Sequence, residues 1–157
     1  MLNFSKYQGL GNDFIILDGI LDVIPADIVL ANSPLISRLC NRNFGIGADG
    51  ILVLLPATDK ANFKMIIYNS DGSQAEMCGN GIRCIVKYLS DTHQIKGTVI
   101  IETLAGLISA NIDTNGYVEV DMGTPILDPA NIPCKLDIGP TSLPQGEITL
   151  DNKTYDI

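Results

Sequence analysis

The stretch Met77-Cys78-Gly79-Asn80-Gly81-Ile82-Arg83-Cys84-Ile85-Val86-Lys87-Tyr88-Leu89 decides the fold. Ile82, Ile85, Val86 and Leu89 recur at helical spacing, which predicts a helix over 79–89 that is apolar on much of its surface. A helix coated in this way has to be covered on more than one side. The surrounding sheet is therefore expected to wrap it rather than to carry it on its outside.

On the N-terminal side, residues 2–7 and 14–18 read as short strands around the glycine-rich turn Gln8-Gly9-Leu10-Gly11-Asn12-Asp13. Ser33-Pro34 has the form of an N-cap followed by proline at the first helical position, opening a helix through Leu35, Ile36, Leu39 and Cys40. Residues 44–50 form a loop, and residues 51–55 and 63–68 are strands rich in bulky apolar side chains. Asn69-Ser70-Asp71-Gly72-Ser73 is a turn cluster leading to the helix.

On the C-terminal side, residues 99–103 and 107–112 should pair around Leu104-Ala105-Gly106. Residues 108–113 and 117–122 flank Thr114-Asn115-Gly116, a hairpin signal. The proline-rich stretch 123–146 reads as irregular, and residues 147–150 as a last short strand. The fold class expected is α+β, with mostly antiparallel strands curling around one central helix, in a single domain spanning residues 1–157.

The composition narrows the function. At 157 residues and 46% hydrophobic, the chain can build a sizeable core. Only 18% of residues are charged, which suggests that one face is normally covered. A net charge of −8 opposes binding to nucleic acid or to an anionic membrane surface. The longest clean apolar run, residues 51–55, is too short to span a bilayer. Met1 leads into Leu2-Asn3-Phe4-Ser5-Lys6 with no secretory pattern, so a cytoplasmic location and reduced thiols are expected. The spacings of Cys40, Cys78, Cys84 and Cys134 match no standard zinc pattern, and no metal is expected.

Three constellations bear on chemistry. Gly45-x-Gly47-x-x-Gly50 fits a dinucleotide fingerprint as a string, but it follows a helix and opens a strand, the reverse of the required context. A tight turn needing positive φ is the favoured reading. Cys78 is different. It sits where a helix begins, among glycines, beside unpaired backbone N–H groups that carry partial positive charge. Such a place binds a carboxylate and favours a thiolate. A sulfur able to hold or release a proton beside a carboxylate cradle suggests proton transfer at the α-carbon of an amino or hydroxy acid.

The other three cysteines read as small buried hydrophobes. Cys84 lies about 240° from Cys78 around a helix at about 100° per residue, so the two sulfurs should face different sides. Asp13 and Asp49 read as turn caps, Glu76 as a partner of backbone or solvent, Arg83 as a packing or ion-pairing residue, and His93 as a surface group beyond the helix. The contrasting reading of the chain is an acidic binding or oligomerisation module in which Cys78 only packs. Deep burial of Cys78, or blocked N–H groups at the helix start, would favour it.

Taken in order and spacing, Gly9-Leu10-Gly11-Asn12-Asp13-Phe14, the 44–50 loop, the 69–73 turn, Glu76-Met77-Cys78-Gly79-Asn80-Gly81-x-Arg83-Cys84 and Val118-Glu119-Val120-Asp121-Met122-Gly123-x-Pro125 resemble the diaminopimelate epimerase family. The resemblance implies an amino acid epimerase that needs no pyridoxal phosphate or other cofactor. It would interconvert LL- and meso-diaminopimelate, a small diamino dicarboxylic acid of lysine and peptidoglycan precursor synthesis. By that pattern Cys78 is one of two catalytic cysteines, Gly79 and Asn80 bind the α-carboxylate through backbone N–H groups, and Asn12 and Asn69 bind the substrate's amino and carboxylate groups. The family has two similar domains. The second Cys-Gly-x-Gly run, expected in the C-terminal one, does not occur in this chain. The chain therefore resembles the N-terminal half, inactive alone, with an apolar face that would drive dimerisation. Proline-racemase-like and phenazine-type isomerases share the fold, so an isomerase with another substrate is the alternative.

Overall fold

Aliphatic side chains occupy both faces of the central strands, so those strands must be sandwiched. The computed structural model describes residues 2–25, 28, 33–58, 60–128 and 131, together with 137–138, 144–145, 147–150 and 153–156. The elements in chain order are β1 (Ser5–Gly9), β2 (Asn12–Asp18), α1 (Ser33–Cys40), β3 (Gly50–Pro56), β4 (Phe63–Asn69), β5 (Gln74–Ala75), α2 (Gly79–His93), β6 (Gly97–Thr103), β7 (Gly106–Ile112) and β8 (Val118–Val120). They build an eight-stranded sheet in the order β1-β2-β3-β4-β6-β7-β8, with β5 paired to β4. Most pairs are antiparallel, but β2–β3 and β4–β6 are parallel. Those two parallel steps are the ones bridged by a helix, α1 and α2 respectively, as parallel pairing requires.

The sheet curls into a half-barrel around α2, which touches β1, β2 and β3 at one end and β7 and β8 at the other. Phe14, Ile16, Leu52, Leu54, Met65 and Ile67 point inward with Ile82, Ile85, Val86 and Leu89 of α2. The alternate residues Ile15, Leu17, Ile51 and Val53 point outward and pack with Ile36 and Cys40 of α1 and with Ile28 and Ala48. The wrapped helix expected from the pattern is thus present, and α1 covers the back of the same sheet. At about 25 cal/mol per Å² of apolar area, burial on both faces makes β2 and β3 the best-anchored strands.

The structure departs from several of these expectations: β1 starts at Ser5 rather than at residue 2, and the strand expected over 117–122 is only Val118–Val120. The β1–β2 ladder continues to the Gly9–Asn12 pair, leaving Leu10 and Gly11 as a two-residue turn with φ of 53° and 91°. Helix α2 runs on to His93 and ends at Gln94, which takes a left-handed φ of 58° and donates its N–H to the Leu89 carbonyl. Among the three loop glycines, only Gly47 has positive φ, 80°. Gly45 is needed for close approach, because a Cβ there would stand 2.0 Å from the Arg38 carbonyl oxygen.

The chain divides into two compact units, Met1–Met122 and Gly123–Ile157. Within the second, β9 (Asp137–Ile138) pairs with β10 (Pro144–Gln145), and β11 (Glu147–Leu150) with β12 (Lys153–Asp156), both antiparallel. The expected last strand is therefore one arm of a hairpin, and the stretch read as irregular holds a two-residue pairing. Cys134 lies outside the described residues.

Candidate active site

Three strand ends and the start of α2 share one rim of the half-barrel. β2 begins at Asn12, β3 begins at Gly50 and β4 ends at Asn69; the register sets Phe14 beside Gly50 and Gly50 beside Asn69. Asp49 ties them together, its N–H donating to the Asp13 carbonyl at 2.9 Å and its carbonyl accepting from the Ser70 N–H at 3.0 Å. The helix start reaches the same rim through close approaches that side chains would obstruct. A Cβ at Gly9 would come within 3.2 Å of the Asn80 carbonyl oxygen and 3.3 Å of Cys84 Sγ, and one at Gly81 within 3.2 Å of Leu52 Cδ2.

Cys78 is the N-cap of α2, with extended backbone (φ −146°, ψ 115°), and its Sγ accepts the Gly81 N–H at 3.4 Å. The sulfur is half-buried against the inner core. Ile82 N–H is taken up by the Cys78 carbonyl at 2.9 Å, whereas the N–H groups of Gly79 and Asn80 have no acceptor among the described residues. The cysteines separate as expected for those described. Burial pushes the Cys40 and Cys84 thiols up to about 11, with nearby carboxylates adding to the first and Cys78 to the second. They are inert core groups.

The polar side chains of the rim form one chain of hydrogen bonds. Arg83 donates to Asn80 Oδ1 at 3.1 Å, Asn80 Nδ2 donates to Asn12 Oδ1 at 2.8 Å, and Asn12 Nδ2 donates to Asp49 Oδ2 at 3.4 Å. Arg42 grips Asp49 at 2.8 Å and Asp13 at 2.6 Å, and Lys6 reaches Asp13 at 2.9 Å. The Arg42 hydrogen bonds, reinforced by Lys6 against some desolvation, hold the Asp13 carboxyl far below the usual carboxylate range. Asp49 and Asp13, expected as turn caps, act over longer range: the Asp49 carboxylate accepts the Asp13 N–H of β2 at 3.0 Å, and the Asp13 carboxylate pairs with Arg42 and Lys6. Arg83, expected to pack or form an ion pair, donates instead to an asparagine.

Asn69 stands on the rim but outside that chain. Its Nδ2 donates to Ser73 Oγ at 2.9 Å, which leaves its side-chain carbonyl without a donor among the described residues. Asn12, Cys78, Gly79 and Asn80 are thus brought together directly, and Asn69 joins them through its Gly50 neighbour. Two cavities elsewhere are not lined by these residues. One of about 720 Å³ includes Lys87, Lys96 and Asn115. The other, of about 390 Å³, runs along β7 and β8 to Met122.

The profile of the diaminopimelate epimerase family matches residues 4–127. The chain belongs to the diaminopimelate epimerase family. It is 49% identical over 157 residues to a diaminopimelate epimerase of Prochlorococcus marinus, covering 99% of this chain and 55% of that protein. It is 47% identical to that of Carboxydothermus hydrogenoformans, covering 91% of this chain and 52% of that protein. The chain thus spans about half the length of these curated relatives. A solved hydroxyproline epimerase from Agrobacterium vitis, with bound trans-4-hydroxy-L-proline, superposes with a TM-score of 0.57 at 21% identity, covering 74% of this chain and 40% of that one. This last likeness is one of fold, and it agrees with the epimerase-like architecture expected from the motifs.

At the opposite end of β2 and α2 lies a cluster the sequence reading missed. Asp18 accepts from Tyr88 Oη at 2.9 Å, pairs with His93 Nε2 at 2.6 Å, and accepts the Ile20 and Leu21 N–H groups at 2.8 and 3.2 Å. Burial, helped by the Asp18 bond, pushes the Tyr88 hydroxyl up to about 12. His93, expected on the surface past the helix, is instead 16% exposed and in its last turn. The helix is one turn longer than the apolar pattern indicates, and that turn carries the imidazole to Asp18. Among the described residues no helix is long and apolar enough to cross a membrane.

Proposed function

We propose that this chain forms one half of a cytoplasmic, cofactor-independent diaminopimelate epimerase. Cys78 is one of its two proton-transfer sulfurs, and the second comes from a further domain of the same family pattern. Gly79 and Asn80 hold the α-carboxylate through their backbone N–H groups, and Asn12 and Asn69 hold the substrate's carboxylate and amino groups. The supporting observation is the pair of unoccupied N–H groups beside a half-buried sulfur at one helix N-terminus. Had Cys78 been deeply buried or those groups blocked, the packing-only reading would have gained.

Inverting a stereocentre needs a base on one face of the α-carbon and an acid on the other. Sγ accepts the Gly81 N–H and faces the partial positive charge of the helix start. The same helix end stabilises the charge that spreads onto the carboxylate as the α-hydrogen leaves. The second wall of the cleft supplies the opposite sulfur and keeps water from the carbanion.

The test is solvent deuterium uptake at the α-carbon of LL- and meso-diaminopimelate. The 157-residue chain alone should give none, and the two-domain protein should give exchange that Cys78→Ala abolishes. Turnover by the chain alone, or by the two-domain Cys78→Ala variant, would refute the two-sulfur assignment. A parallel panel with proline and hydroxyproline separates this reading from an isomerase of the same fold with another substrate.

A further inference from the structure

The rim chain of hydrogen bonds has a direction fixed at both ends. A guanidinium only donates, so the Asn80 amide must turn its oxygen to Arg83 (3.1 Å). Its NH2 is then left for Asn12, which must in turn present its own oxygen (2.8 Å). That leaves the Asn12 NH2 on the side of Asp49, whose ionised carboxylate only accepts (3.4 Å). Asp49 is itself held by Arg42 at 2.8 Å. Both ends demand the same order, so neither amide is free to flip, and Asn12 Nδ2 keeps a second hydrogen with no acceptor among the described residues.

We infer that Arg83 is a positioning residue of this site: through Asn80 it fixes the amide of Asn12 so that a side-chain N–H stays available to a substrate carboxylate. This rests on the reading of Asn12 as a substrate contact. Arg83 lies one turn inside α2 and acts through two amides, not on the reacting atoms. Asp49 closes the relay at the other end. Loss of the guanidinium would let the Asn80 amide rotate and would loosen the Asn12 amide from the helix side, leaving it held by Asp49 alone.

The experiment uses the ¹⁵N-labelled full chain, with the side-chain amides of Asn12 and Asn80 assigned by single substitution. In the wild type the Asn80 hydrogen donated to Asn12 and the Asn12 hydrogen donated to Asp49 should exchange slowly. Arg83→Met, which keeps length but not donors, should raise their exchange about tenfold, the size expected for losing a hydrogen bond to a charged group. Arg83→Lys should restore protection to within about threefold, since an ammonium can still donate to Asn80 Oδ1. If Arg83→Met fails to fold, Asn80→Leu breaks the same relay from its middle, and Asn12 should lose protection with Arg83 intact. Unchanged exchange at Asn12 in either variant overturns the inference. Titration with meso-diaminopimelate gives a second readout, with affinity about tenfold weaker in Arg83→Met and rescued in Arg83→Lys. Equal affinity in wild type and Arg83→Met also overturns it. If the wild type binds no meso-diaminopimelate while the amides still respond to Arg83, the relay stands and the substrate assignment fails.

Discussion

A single sulfur carries the chemistry proposed for this chain, and its surroundings make it cheap to remove. Cys78 caps α2 with a long 3.4 Å bond and is only half-buried. Cys78→Ala should therefore cost less than about 1 kcal/mol of stability, while iodoacetamide labelling at residue 78 is lost and Cys40 and Cys84 of the folded chain, read peptide by peptide in mass spectrometry, should stay slow. Continued fast labelling in that variant would mean that another thiol is the reactive one. Glycine substitutions behave oppositely. Gly45→Ala drives a Cβ into the last carbonyls of α1, 2.0 Å from Arg38 and 2.7 Å from Leu39. It should cost about 1–3 kcal/mol in urea unfolding. At this scale Cys78, Gly79 and Asn80 were legible because they are consecutive and start a helix. The Asn80–Asn12 bond was not, because its partners are 68 residues apart and nothing local announces it.

Among the elements, α2 shows how periodicity finds a helix and misses its end. The apolar stripe stops at Leu89, but Lys87 and Asp91 pair at 2.6 Å along the following turn, and Tyr88 and His93 are drawn to Asp18. Polar contacts, invisible to a hydrophobic pattern, carry the helix one turn further. Asp18→Ala would strip the partner from a buried hydroxyl and two backbone N–H groups, and should cost about 2–4 kcal/mol. Its pH dependence has a defined sign. Burial works against ionisation of Asp18, but hydrogen bonds from His93, the Ile20 N–H, Tyr88 and the Leu21 N–H outweigh it and hold the carboxyl below its usual range. The unfolded state thus binds that proton more readily. The stabilisation is complete above the ordinary aspartate value of about 3.9 and is lost as pH falls through the lower folded value. Thermal midpoints measured between pH 6 and pH 2 should fall more steeply for the wild type than for Asp18→Asn. Parallel profiles would show that Asp18 adds nothing to acid sensitivity.

For the molecule as a whole, the class and most strands were legible because β-branched and aliphatic runs are punctuated by turn residues. Less legible was the second layer: α1 reads as a short amphipathic helix with no stated place, and only the both-faced burial of β2 and β3 shows that it backs the sheet. Two cores on opposite faces imply energetic independence. Ile85→Val in the inner core and Ile36→Val in the outer one should each cost about 0.5–1.5 kcal/mol, and the double variant their sum to within about 0.5 kcal/mol. A coupling energy above 1 kcal/mol would mean that the sheet transmits strain between its layers.

Strand β2 and helix α2 each run from the Cys78 rim to the Asp18 cluster, Asn12 to Asp18 and Cys78 to His93. The half-barrel therefore has two poles with separate occupations. Selection for heat tolerance can act on the anchoring pole while the chemistry proposed for the other drifts or specialises. A library confined to Asp18, Tyr88 and His93 is accordingly the place to look for sturdier variants that leave the Cys78 pole as it stands.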